Sequence, residues 1–295
     1  MIPNMKFYVI SIVSIFLALA IGIYIGFTLD AQNFLVEQKE DIASKLEEKF
    51  DYLRGENINL KKDIEDLKMQ NSQYEKFNET LYPEVIKNRL SGMKVAIIET
   101  NDEYIYSGVG KVLEMSGADV VNITTIKDKF LNQDILNEIY LKNGVKKEEL
   151  EDNIVGKATI DLSTAIASDE ENEIIKYFKE YGLINIIGNI DESVDYIIIA
   201  GGSDSKDVDR INILDKNIID TVKKLDLPII GIEKTKVKNS YMEEYKDSRI
   251  STVDNIDSIM GKVALVMSME GRPGNYGIKP SAESLLPDPS DAISE

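Results

Sequence analysis

From Phe7 to Leu29 the sequence runs for 23 residues without a charge, and about 20 apolar residues in a helix are enough to cross a hydrocarbon core. A chain built around such a run is expected to be a membrane protein. Lys6 and the free amine precede the run and Asp30 follows it. The positive-inside rule therefore leaves residues 1–6 in the cytoplasm, makes 7–29 a single span of the cytoplasmic membrane, and places the bulk of the chain outside. Ala18-Leu19-Ala20 offers an alternative signal-peptidase site, but the apolar run continues for nine residues beyond it. Within the span Ser14, Ala18, Gly22 and Gly26 recur every fourth residue, giving one small-residue face against which a second helix backbone can pack.

Residues 30–83 continue as a stalk. A heptad frame places Leu46, Leu53, Leu60 and Leu67 at d and Phe50, Asn57, Ile64 and Asn71 at a. Leucine at d with asparagine at a is the pattern of a parallel two-stranded coiled coil, in which paired asparagines fix register. The alternative is one amphipathic helix laid on its own domain, since Lys39 at d and Gly55 interrupt the seam. A continuous helix of this length would reach about 70 Å. Pro83 is expected to end it. The predicted assembly is a parallel homodimer.

Beyond the stalk, 43 % apolar residues support a sizeable core. Lys94 to Ile98, the helical spacing of Ser107 to Met115, and Asp119 to Ile123 read as a βαβ unit. Val194 to Ala200, the periodic Ile211, Leu214, Ile218, Val222 and Leu225, and Pro228 to Ile232 read as a second. Short apolar strands alternating with helices predict a doubly wound parallel sheet covered on both faces, a Rossmann-like or flavodoxin-like α/β head over 91–271. Ser168 and Glu171 resemble a capping box for a helix ending at Gly182, and a last helix is expected over Ile256 to Met269. Residues 272–295 hold four of the seven prolines and read as a loose tail.

The chain has neither cysteine nor histidine, which removes disulfides, thiolate and imidazole chemistry and the usual zinc spacings. No cofactor is expected. A formal charge of −18, from 52 acidic and 34 basic residues, repels nucleic acid phosphates and disfavours nucleic-acid binding.

Ligands of open parallel sheets sit beyond the C-terminal strand ends. These are the loops around Glu99 and Asp102, Gly201-Gly202-Ser203-Asp204, and Glu233. The glycine pair reads either as an anion-binding approach or as an ordinary turn. Glu99, Asp102 and Glu233 are candidates for a hard cation or for plain solvation. Gly108-Val109-Gly110-Lys111 falls at the first strand-to-helix connection but lacks P-loop spacing. An Asp or Asn among Asp254, Asn255 and Asp257 reads as a cap of the last helix.

Taken together, the apolar run Val9 to Gly26, Leu90-Ser91-Gly92, and Ser251 to Asp257 followed by Gly261 to Val266, Tyr276-Gly277 and Leu286-Pro287 resemble the MctB-type copper transporter family of bacterial envelope proteins. The resemblance implies an anchor, a coiled coil, an extracytoplasmic α/β domain, a structural or binding feature at Asp254, Asn255 and Asp257, and a role in copper export or homeostasis. It further implies an outer-membrane channel in a mycobacterial type of envelope, or cell-wall and cell-separation complexes containing a membrane-bound partner. Copper(I) favours thiolate, thioether or imidazole, so nine methionines are the only soft side chains present. The residues alone supply no copper site. The expected function is non-enzymatic, linked to copper, with a scaffold of wall machinery as the alternative and a carboxylate-based envelope hydrolase as a third reading.

Overall fold

The computed structural model describes residues 5–150, 153–168, 172–204 and 210–288; the side chains of 30–38, 40 and 107 fall outside that description. Two units divide near Tyr74.

The first unit is helical, part of helix α1, Met5–Ile86. Its residues Met5–Leu29 form a helix long and apolar enough to cross a membrane. Ser14 returns its hydroxyl to the Ile10 carbonyl at 2.8 Å, which keeps a polar group satisfied in an apolar setting. A Cβ built at Gly22 or Gly26 would meet nothing within 4 Å. The heptad leucines Leu46, Leu53, Leu60 and Leu67 lie exposed on the helix, as do Phe50 and Ile64.

Pro83 does not end α1. Three more residues follow in the helix: proline's fixed φ is helical, and the lost amide bond and the crowding of the carbonyl four residues earlier weaken or bend a helix without having to stop it. The Pro83 carbonyl still accepts from the Lys87 amide at 3.0 Å.

The second unit, from Glu75 onward, is a mixed α/β domain. Its strands are β1 Lys94–Glu99, β2 Asp119–Ile126, β3 Ile184–Gly188, β4 Tyr196–Ala200, β5 Ile229–Ile232, β6 Ser251–Val253 and β7 Asn275–Tyr276. They form one sheet in the order β3-β2-β1-β4-β5-β6-β7. All neighbouring pairs are parallel except β2 with β3. The helices are α2 Ser107–Met115, α3 Gln133–Lys142, α4 Ile154–Ala167, α5 Glu173–Glu180, α6 Lys216–Lys224, α7 Met242–Asp247 and α8 Ile259–Met269.

Strand side chains alternate between faces, and β1 divides accordingly. Ala96 and Ile98 enter a core with α3 to α7, whereas Val95 and Ile97 enter a second core with α2, α8 and the end of α1. Ile86 and Leu90 are buried in that second core, so the domain takes in residues before 91. Both faces of the sheet are covered.

Three local expectations change. Asn172, not Ser168, caps α5, its Oδ1 accepting from the Ile175 amide; Ser168 instead ends α4, and Glu171 lies outside the described residues. Ser258, not an Asp or Asn of 254–257, caps α8 through the Gly261 amide at 2.9 Å. Residues 272–288 are not a loose tail. They add β7 to the sheet and return to it through a bridge between Tyr276 and Ser284; 289–295 lie outside the described residues.

Candidate functional site at the strand ends

The strand order reverses between β1 and β4, and the crevice past the carboxyl ends of such strands is where open α/β sheets take ligands. Here that rim is occupied by the chain's own loops. The Asn101 side chain donates to the Gly202 carbonyl at 2.6 Å, and Tyr106 Oη donates to the Gly201 carbonyl at 2.6 Å. The Gly201 amide is bound to the Ile232 carbonyl, the Ser203 amide to the Asn239 carbonyl, and the Asp204 amide to Glu103 Oε2 at 2.6 Å. These amides are therefore committed within the fold rather than turned toward an anion.

Both glycines have steric reasons. A side chain at Gly201 would overlap Tyr245, while Gly202 has a φ of +87° and crowds Glu233, a backbone region open to glycine without penalty.

The acidic candidates are held apart. Glu99 accepts from the Tyr106 amide at 3.2 Å and from the Thr125 hydroxyl at 2.6 Å. Asp102 is exposed. Glu233 is fully buried, accepts from the Ser240 hydroxyl (2.7 Å) and the Tyr241 amide (2.8 Å), and is paired with the Lys279 ammonium. Burial pushes the Glu233 carboxyl up, with Lys279 and Ser240 pulling it back. Among the described residues no three acidic groups gather as they would for a metal ion, so Glu99, Asp102 and Glu233 do not converge.

Asp254 and Asp257 bind backbone. The two oxygens of Asp254 accept from the amides of Ile278 (2.8 Å) and Lys279 (2.7 Å). Asp257 Oδ1 accepts from both the amide and the hydroxyl of Thr235, each at 2.8 Å. Its burial is outweighed by those bonds, which hold its carboxyl below the usual range. Asn255 is buried with Oδ1 unpaired, pressed against Gly261, where a Cβ would collide with the Asn255 carbonyl. Asp204 accepts from Tyr104 Oη at 2.5 Å and pairs with Lys238 at 3.3 Å; the Tyr104 bond leads in lowering its carboxyl.

A second cluster was not singled out from the sequence. The Arg210 guanidinium, almost fully buried, donates to the Thr100 carbonyl at 2.6 Å and 3.1 Å and to Asp128 at 2.7 Å. Asp215 is fully buried and accepts from the Tyr245 hydroxyl. Burial drives its carboxyl up to about 7, against the pull of Tyr245, Thr100 and Arg210. It closes a π-helical turn, Ile211–Asp215. The readable signal was spacing: Asp215 stands four residues after Ile211 and three before Ile218, on the apolar stripe of the helix.

Gly110 and Lys111 lie inside α2 rather than at a phosphate-facing loop. With Glu114, Val120, Ile123, Ile187 and Gly188 they line a shallow cleft of about 430 Å³ over β2 and β3.

These features define an α/β protein with one long N-terminal apolar helix and a mostly parallel seven-stranded sheet, its strand-end rim closed by internal hydrogen bonds. The chain belongs to the MctB family, described as copper transport outer membrane protein, which matches residues 1–287. That places it among copper-transport-related envelope proteins. No curated protein matches it.

Proposed function

We propose that this chain is a non-enzymatic envelope protein of copper homeostasis, held in the membrane by Met5–Leu29 with its N-terminus inside, and working as a parallel homodimer that engages a membrane or envelope protein partner. The observation that carries the reading is α1 itself. Its apolar span leads directly into a heptad seam whose leucines are uncovered in the single chain, and a row of exposed apolar residues along a helix is stabilised by pairing with a second such row. Asn57 and Asn71 would then pair across the seam and fix its register, and Ser14, Ala18, Gly22 and Gly26 would let the spans approach.

The strand order 3-2-1-4-5-6 within the sheet supports a Rossmann-like head, with the antiparallel β3 as a departure. A non-catalytic role is supported by the rim, where Glu99, Glu233, Asp254 and Asp257 are each engaged in holding loops. A sheet with helices on both faces offers no lipid-facing wall for a pore. Soft copper donors are also scarce, because Met242 and Met269 are packed in the two cores. The copper role is therefore assigned to the partner complex rather than to a site in this chain. The same scarcity favours, as a second reading, a scaffold of cell-wall or cell-separation machinery.

The test joins two measurements. Cells lacking the chain are grown in graded copper, and the mass of the soluble piece 30–295 is determined. Copper hypersensitivity restored by the intact chain, with a dimeric mass, is the expected result. Unchanged copper tolerance would sink the copper role in favour of the wall scaffold, and a monomeric mass would sink the paired stalk.

A further inference from the structure

The segment after Tyr276 is attached to the sheet largely through carboxylates and lysines. Asp254, one residue past β6, takes two successive amides, those of Ile278 and Lys279, on its two oxygens. Lys279 then reaches inward, its ammonium pairing with buried Glu233 and donating to the Lys234 carbonyl at 3.0 Å. Gly277 permits the approach: its φ is +142° and a Cβ there would overlap the Asp254 carboxylate. Farther on, the Gly277 amide meets the Ser284 carbonyl at 2.9 Å, the Glu283 amide meets Asn275 at 2.8 Å, and Lys246 pairs with Glu283 at 3.1 Å.

The same segment contributes little to either core. Ile278 is 61 % exposed, and Leu286 is only partly buried against the second core. β7, from which the segment departs, is a two-residue strand paired with β6 on one side and, on the other, only with the segment's own return at Glu283 and Ser284. Glycines bracket it at 274 and 277. Elements with few buried apolar contacts and edge hydrogen bonds open at lower free energy than the core beneath them. What holds this one is a few polar contacts, those of Lys279 and Lys246 and of the Glu233 and Asp254 carboxylates, rather than a packed apolar surface.

We propose that Gly277–Leu286 is a releasable strap, latched by Lys279 on Glu233 and by Asp254 on the backbone, which opens as a unit while the sheet stays folded and uncovers both carboxylates at the ends of β5 and β6. Glu233 and Asp254 are then inward-facing holders of the strap when it is closed and accessible acidic groups beside each other when it is open. Glu233 is a ligand candidate by its place after a strand and Asp254 by the family resemblance; the strap explains why neither is accessible in the closed form.

Hydrogen exchange on the full-length chain in lipid nanodiscs tests this. In the unsubstituted protein the amides of Ile278 and Lys279 are expected to exchange at least tenfold faster than those of Ile198, Ile199 and Ile230. Equal rates would mean the segment opens only with the whole domain and would overturn the proposal. In Lys279→Ala, protection at 278 and 279 is expected to fall a further tenfold with the β1, β4 and β5 amides unchanged, and millimolar propylammonium is expected to restore part of it. Loss of protection throughout the sheet, or no change at 278 and 279, would overturn the latch.

Discussion

Gly231 and Tyr245 are fitted to each other: the ring of Tyr245 lies so close over the β5 backbone that a Cβ at position 231 would overlap it. Gly201 at the end of β4 meets the same ring. Tyr245 thereby spans two strands and delivers its hydroxyl to Asp215.

Gly231→Ala is expected to destabilise the domain by about 1–3 kcal/mol, the usual cost of overpacking a filled interior, as read from urea melts. Pairing it with Tyr245→Leu should remove most of that cost by relieving the overlap, while adding the separate cost of the lost hydroxyl on Asp215.

Asp215 makes stability fall with rising pH. Its carboxyl is raised from 3.8 to about 7 in the folded chain, so the native state binds the proton more tightly. Its contribution is complete below the unfolded value and is lost as pH climbs through about 7. Asp215→Asn keeps a group able to accept from Tyr245 and does not ionise. The difference in stability between Asn and Asp is expected to move in favour of Asn by more than about 1.4 kcal/mol between pH 5 and pH 8, the equivalent of one pKa unit. Thermal melts of both chains across that range provide the check.

Arg210→Ala should cost about 2–4 kcal/mol, because the Thr100 carbonyl loses a charged donor inside the protein. Arg210→Lys is expected to recover less than half, since one ammonium cannot reproduce the fork that bonds Thr100 and Asp128 together. Chemical denaturation of the two variants separates these outcomes.

Replacing Asn57 and Asn71 together by isoleucine should raise the melting temperature of the stalk and loosen its register, because buried asparagines trade stability for register. Thermal melts of 30–295 check the rise, and light scattering should still show a dimer, since isoleucine at a with leucine at d favours two strands.

A copper(I) competition titration on 30–295 is expected to show no tight stoichiometric binding, since the chain lacks Cys and His and, of the head methionines, Met242 and Met269 are buried. Tight binding abolished by methionine substitution would move copper into this chain.

Much of the sheet was legible because β1, β4 and β5 are continuous apolar runs, the signature of strands buried on both faces. The helix from 211 was equally plain from its spacing, although its first turn is π-helical. Six elements escaped, α3, α4, α7, β3, β6 and β7. α4 is apolar around most of its surface, which blurs a 3.6-residue period. β3 is a short run that pairs antiparallel at the edge. β7 has two residues in a stretch rich in Pro and Gly, and its place depends on Asp254 and Lys279, partners about 20 residues before it and only a few after it. Of the rim, position after a strand located Glu233, and the family resemblance Asp254 and Asp257, but not what they hold, because their partners are amides, hydroxyls and one lysine that no local pattern connects to them.

The last turns of α1 have a mechanical consequence. Ile86 and Leu90 are buried in the core beneath the sheet, the Leu90 amide is bonded to Ser116, and Arg89 grips Glu270 at the end of α8 with two bonds of 2.7 Å and 2.9 Å. These contacts fasten residues 86–90 to α2 and α8 within the domain itself, so this segment cannot be peeled away without opening the second core.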